Sequence, residues 1–177
     1  MAEQTPPPAA KDPIVNIDAL EFTDFGHGHE LPGMGVAPPD YQARVGFIGP
    51  RLGAQQLGYN LTVLPPGKRA FPLHNHRYNE EMFFIVEGRG EIRIGKDAPP
   101  RPIRAGDVIA CMAGGADTAH QIVNTSDGEL KYLAVSSKID PEICDYPEFG
   151  TFGVLSGNPP FRYVGKEGES LTYFPEK

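Results

Sequence analysis

The 177-residue chain contains no tryptophan, only two cysteines, and no cluster of lysine and arginine longer than a pair. Two thiols, Cys111 and Cys144, are too few for the disulfide framework of a small secreted domain, and a chain of this length buries a core without such staples. Both are expected to be reduced. Cys111, in the apolar run before His120, reads as a buried and inert thiol. Sixteen Lys and Arg stand against 23 Asp and Glu, giving a formal net charge of -7 and a pI near 5.2. Without a basic patch, nucleic acid and anionic membrane surfaces are excluded as expected partners. No apolar run reaches membrane-spanning length, and the N-terminal MAEQTPPPAAK lacks the apolar core of a signal peptide. The expected location is cytoplasmic.

The chain is instead rich in turn formers, with 21 Gly and 19 Pro beside 40% hydrophobic residues. These punctuate nearly every apolar run, so short strands are favoured over helices. Residues 1–13 are Pro- and Ala-rich and read as a tail. Residues 14–177 are expected to form a single domain, with a barrel core over about 55–136 and irregular arms over 14–54 and 137–177. In the first arm, 14–22 reads as a short strand or a helical turn, and the prolines and glycines of 31–50 forbid a helix of any length. From 55 to 64 the chain alternates, with Leu57, Tyr59, Leu61 and Val63 on one face and Gly58, Asn60 and Thr62 on the other. Further strands are expected at 68–73, 81–87, 91–95, 101–104, 108–112, 119–124 and 130–135. Gly88-Arg89-Gly90 has the form of a hairpin connection, and 108–112 is expected to pair with 119–124 around Gly114-Gly115. In the second arm, 161–164 and 170–174 read as edge strands or as an arm against a second subunit.

His74 and His76 stand two apart, so period-two geometry places both imidazoles on one strand face. Glu81 follows after a short polar segment, and His120 lies in a second apolar run. An HxH pair alone also occurs on surface loops. Three imidazoles and a carboxylate form a mixed N/O set that suits zinc, iron, manganese, nickel or copper better than calcium or magnesium. A second pair, His27 and His29, sits among glycines and reads as a flexible loop without metal.

The spacing Gly67-x6-His74-x-His76-x4-Glu81-x6-Gly88, followed by Gly106-Asp107-Val108 and His120-x3-Asn124, strongly resembles the two motifs of the cupin superfamily. The resemblance implies an all-β, jelly-roll-like double-stranded β-helix barrel. It also implies one divalent transition metal per chain (Zn, Mn, Fe or Ni) held by His74, His76, Glu81 and His120. Glu80 is the rival carboxylate, but only Glu81 keeps the spacing to Gly88. The second motif departs from the pattern, with Met112-Ala113-Gly114 where many cupins have Pro-x-Gly and a longer gap to His120. Over about 16–150 the chain resembles small single-domain bacterial cupins of largely uncharacterised function, which implies a homodimer.

Four protein ligands in a six-coordinate shell leave two adjacent positions for a chelating substrate. The expected function is a metal-dependent enzyme acting on a small oxygen-rich metabolite: a sugar or sugar phosphate isomerase, a lyase or decarboxylase, or a dioxygenase. The alternative is a non-catalytic module that binds or senses a small ligand. Tyr59, Asn60, Arg69 and Tyr78 are the polar candidates near the motif for substrate contact, with no acid or base role assigned.

Overall fold

A computed structural model describes residues 12–26, 30–31, 35–169 and 174. His27 and His29 lie outside the described residues, as does all of the expected 170–174 strand except Phe174.

The N-terminal arm holds a 3-10 turn at Ile17–Ala19, then β1 (Thr23–Gly26), β2 (Glu30–Leu31), β3 (Gly35–Val36) and β4 (Gln42–Phe47). One four-residue helical turn, α1 (Gly49–Leu52), follows. It corrects the expectation of no helix: Pro50 fills the first turn, where its missing N–H costs nothing, and Gly53 ends it at φ +80°. The barrel continues with β5 (Leu57–Leu64), β6 (Asn75–His76), β7 (Glu81–Glu87), β8 (Arg89–Ile94), β9 (Arg101–Arg104), β10 (Val108–Cys111), β11 (His120–Val123) and β12 (Leu130–Ser137). The C-terminal arm supplies β13 (Glu142–Tyr146), β14 (Thr151–Gly157) and β15 (Pro160–Lys166).

The expected strand at 68–73 does not form. Its backbone makes single bridges only, Arg69 with Tyr41 and with Val123, and His74 with His120. Pro72 carries no N–H and cannot take part in a continuous ladder.

A six-stranded sheet runs in the order β1-β4-β5-β12-β7-β10, and a three-stranded sheet runs β11-β8-β9. Side chains from both meet in one core that includes Val45, Leu64, Ile85, Ile92, Ile103, Ile122 and Leu130. The two expected hairpins are absent. β7 pairs with β12 and β10, whereas β8 pairs with β11 and β9. The chain therefore changes sheet at Gly88, and again after β9, after β10 and after β11. The two sheets are wound together strand by strand, as a double-stranded β-helix requires.

The alternation of β5 holds, but the face that reads as polar looks inward. Leu64 joins the barrel core and Thr62 is fully buried, while Leu61 and Tyr59 pack outside against Leu20, Ile48 and Leu52 of the N-terminal arm. The C-terminal arm also folds onto its own barrel, in a sheet of order β15-β14-β13-β6.

Gly88 has φ +86°, and a Cβ there would stand 2.3 Å from the carbonyl oxygen of Glu129. Gly67 has φ +74° and open space around it. Gly88→Ala is therefore expected to cost roughly 2 kcal/mol or more in urea unfolding, and Gly67→Ala about 1 kcal/mol. Equal costs would show that the close approach at the sheet crossing does not matter.

Candidate metal centre

The site begins with a reciprocal backbone pair. The amide of His74 donates to the carbonyl of His120 at 3.2 Å, and that of His120 donates back at 2.8 Å. This bridge sets the two rings 4.7 Å apart, and the alternation through Asn75 brings the His76 ring within 5.1 Å of His74. Glu81, first residue of β7, completes the group. Its Oε2 lies 2.9 Å from His120 Nε2 and 3.5 Å from His76 Nε2. One donor atom from each of His74, His76, Glu81 and His120 lies within 4.8 Å of the others, close enough to hold a metal ion. Glu80 is exposed, with its backbone tied to Ser137, and does not enter the group.

The remaining ring nitrogens fix the tautomers. His74 Nδ1 faces the carbonyl oxygen of Pro72 at 2.8 Å, and His120 Nδ1 that of Thr118 at 3.3 Å, so each donates there and leaves Nε2 as the free donor atom. His76 differs. Its Nδ1 faces Cys144 Sγ at 3.2 Å and Glu142 Oε1 at 3.6 Å, both from β13. Glu142 is buried and neither carboxylate oxygen has a hydrogen-bond partner; His76 Nε2 is likewise buried without one. Unpartnered buried polar atoms are costly, and a cation between the imidazoles and Glu81 would give Nε2 its missing partner. The donor set of three imidazole nitrogens and a carboxylate fits a divalent transition metal.

Burial lowers the His74 pKa to about 4, helped by the neighbouring His120. For His76 burial also pulls downward, but contacts with Cys144 and Glu81 outweigh it and raise the pKa to about 10. Glu81 is held well below the usual carboxylate range, because His120 and His76 overcome the upward push of burial. The negative charge of Glu81 is thus faced by His76, which keeps its proton through neutral pH.

The sequence matches the Cupin domain family over residues 60–136, a span that contains all four clustered residues. Among curated proteins no sequence matches. A structure described as a sugar phosphate isomerase from a cupin superfamily, from Silicibacter pomeroyi, aligns with TM-score 0.73 at 24% identity, covering 91% of this chain and 98% of that one. Residues 60–136 of this chain are a cupin domain. The cupin also aligns with a predicted oxalate decarboxylase from Thermotoga maritima, with TM-score 0.54 at 22% identity over 71% of this chain and 99% of the other. A polyketide cyclase from Streptomyces resistomycificus gives TM-score 0.54 at 15% identity over 73% and 82%. At these identities the likeness is one of fold.

In this cupin the four residues open onto a cavity of about 520 Å³. Of the polar candidates near the motif, only Asn60 borders it. Tyr59 packs in the outer cluster, Arg69 is paired with Asp40 and stacked on Tyr41, and Tyr78 is exposed. The cavity walls that sequence reasoning missed come from both arms: Phe25 and Tyr41 from one, Cys144, Tyr146, Leu155 and Val164 from the other. One signal was available for β13, since Glu142, Cys144 and Tyr146 alternate onto one face. Cys111 is buried and free, with its thiol pushed up to about 12 by burial and by Glu81, as an inert thiol should be. No helix among the described residues is long and apolar enough to cross a membrane.

These shifts set the acid limb of stability. The folded pKa of His74 lies below the ordinary 6.5, so as pH falls the unfolded chain takes up this proton first and stability drops between about 6.5 and 4. His76 acts oppositely, and its contribution is present below 6.5 and lost as pH rises toward 10. In chelator-treated protein, His74→Gln is expected to flatten the fall in Tm between pH 6.5 and 4. An unchanged acid slope in that variant would count against a neutral, enclosed His74.

Proposed function

We propose that this cupin is a metal-dependent enzyme acting on a small oxygen-rich metabolite, as an isomerase, a lyase or decarboxylase, or a dioxygenase. The observation that carries the reading is that three imidazoles and one ionised carboxylate converge on the wall of a cavity large enough for a small molecule. His74, His76, Glu81 and His120 would hold the ion. When bound, a divalent transition metal supplies Lewis-acid polarisation to a substrate that chelates through two oxygens.

The chain's own groups divide the remaining work. Burial raises the pKa values of Tyr132 and Tyr146, and that of Tyr41 against the opposing pull of Arg69, so these hydroxyls stay protonated at neutral pH and can donate hydrogen bonds to substrate oxygens. Glu81 is the ionised carboxylate on the wall, held so far below the usual range that it serves as a ligand and not as a proton acceptor. Glu142 and Cys144 orient His76 from behind, as outer partners of metal-binding imidazoles commonly do.

Two measurements test this reading. Competition with a chelator should show metal affinity falling about 10–100-fold in Glu142→Gln, with the fold retained. Affinity should also rise with pH past 6.5, because a proton on His76 competes with the metal up to about 10. A pH-independent affinity would remove His76 from the ligand set. For activity, protein loaded separately with Zn, Mn, Fe or Ni is incubated with a metabolite mixture and followed by mass spectrometry. A substrate should disappear and a product form, and Glu81→Ala should abolish the conversion with its dichroism spectrum unchanged. Uptake without conversion, aerobically and anaerobically with every metal, would instead establish a non-catalytic binding module.

A further inference from the structure

We infer that the cavity selects a chelating substrate with an uncharged, ring-sized apolar body, and rejects phosphorylated sugars and small dicarboxylates. This rests on the proposed metal-chelating reading of the same site and narrows it to a substrate class.

The first observation is size. A cavity of about 520 Å³ falls within the range that encloses drug-sized ligands. A dicarboxylate of two or three carbons would occupy the metal end and leave most of the apolar wall wet. The second is the character of that wall. Beyond the four clustered residues it is built largely from apolar side chains, among them Phe25, Phe71, Phe83, Ile122, Leu155 and Val164. Aromatic and aliphatic walls of this kind reward a substrate that brings apolar area to cover.

The third observation is charge. Among the described residues Glu81 is the only Asp or Glu on the wall, and no lysine or arginine borders the cavity. A phosphate dianion is ordinarily held by Arg, Lys or a helix N-terminus. Here α1 is a single turn and does not reach the cavity. Arg69, behind Tyr41, is paired with Asp40 at 3.3 Å. Arg162 stands opposite Leu155 on the outer strand and is exposed, so solvent and salt screen its pull on an anion. The neutral side chains on the wall that can hydrogen-bond, Tyr41, Asn60, Gln121, Tyr132 and Tyr146, are suited to hydroxyl and carbonyl oxygens. The class defined by these walls is an aromatic or alicyclic compound with an adjacent or 1,3-related oxygen pair and further hydroxyl or keto groups.

Three hydroxamates share one bidentate head and differ in the tail: acetohydroxamate carries a methyl, benzohydroxamate a phenyl ring, and phosphoglycolohydroxamate a phosphate. Binding to cobalt-loaded protein is read from the visible spectrum and by calorimetry. Benzohydroxamate is expected to bind at least about ten-fold tighter than acetohydroxamate, and phosphoglycolohydroxamate more weakly than either. Val164→Lys, at a half-exposed wall position on the outer strand that tolerates a long side chain, should raise the affinity for the phosphate-tailed compound and lower that for benzohydroxamate. If the phosphate-tailed compound binds wild-type protein as tightly as benzohydroxamate, the substrate class is overturned, and loss of that binding in Arg162→Ala would locate the anchor. If benzohydroxamate gains nothing over acetohydroxamate, the apolar body is likewise refuted. If none of the three perturbs a site that holds one cobalt per chain, the chelation reading fails and takes this inference with it.

Discussion

The arrangement of the site hangs on the side-chain amide of Asn75, which stands between two of the clustered imidazoles and is completely buried. Its Nδ2 donates to the carbonyl oxygen of Gly114 at 2.8 Å and to Asp145 Oδ2 at 2.9 Å. Asp145 is in turn gripped by Arg77, at 2.7 Å to Oδ1. One residue thereby ties the HNH strand to the loop that precedes His120 and to β13. Because alternate side chains point to opposite faces, pinning Asn75 outward forces His74 and His76 inward. The backbone amide of Gly114 completes the attachment by donating to the carbonyl of His76 at 2.9 Å.

That lock explains how the departure in the second motif is absorbed. The loop from Met112 to Thr118 lacks the usual Pro-x-Gly and is longer, yet His120 still meets His74 through two backbone hydrogen bonds. Gly114 has no room for a side chain, since a Cβ would meet the Thr118 side chain at 2.8 Å. Between two fixed points, Gly114 on His76 and His120 on His74, residues 115–117 are exposed. Loop length is free to vary because the register of His120 is set by its bridge.

Much of the fold was legible along the chain and little of it across the chain. Strands β5 and β12 announce themselves by alternation and β7 by its apolar run, and Gly and Pro mark the ends of these and of β9. Pairing is another matter. A glycine-bounded link such as 88–90 looks the same whether the chain returns in one sheet or passes into the facing one, and only the approach of the Glu129 carbonyl to Gly88 separates the cases. Likewise the apolar face of β5 is outward because Leu20 and Ile48, far away in sequence, cover it. The four residues that the motif spacing implies are brought together by the fold. Glu142, Cys144 and Tyr146 were not legible as part of the site, since their relation to His76 exists only through the pairing of β13 with β6.

The C-terminal arm therefore does more than close the barrel. Register places Cys144 directly opposite His76 and Asp145 opposite Asn75, so successive residues of β13 serve different ends. Asp145 faces the lock, where Arg77 and Asn75 hold its pKa down against burial. Cys144 faces the imidazole, and Glu142 is left as a carboxylate that burial pushes up and His76 pulls back. A carboxylate without hydrogen bonds in such a place destabilises the chain unless a cation lies within reach. The protonated His76 supplies that cation. Were an ion held at Nε2, a proton on Nδ1 would still face Cys144 and Glu142. A strand that carries one wall of the cavity thus also sets the orientation of a clustered imidazole, and this couples the shape of the cavity to the residues at its base.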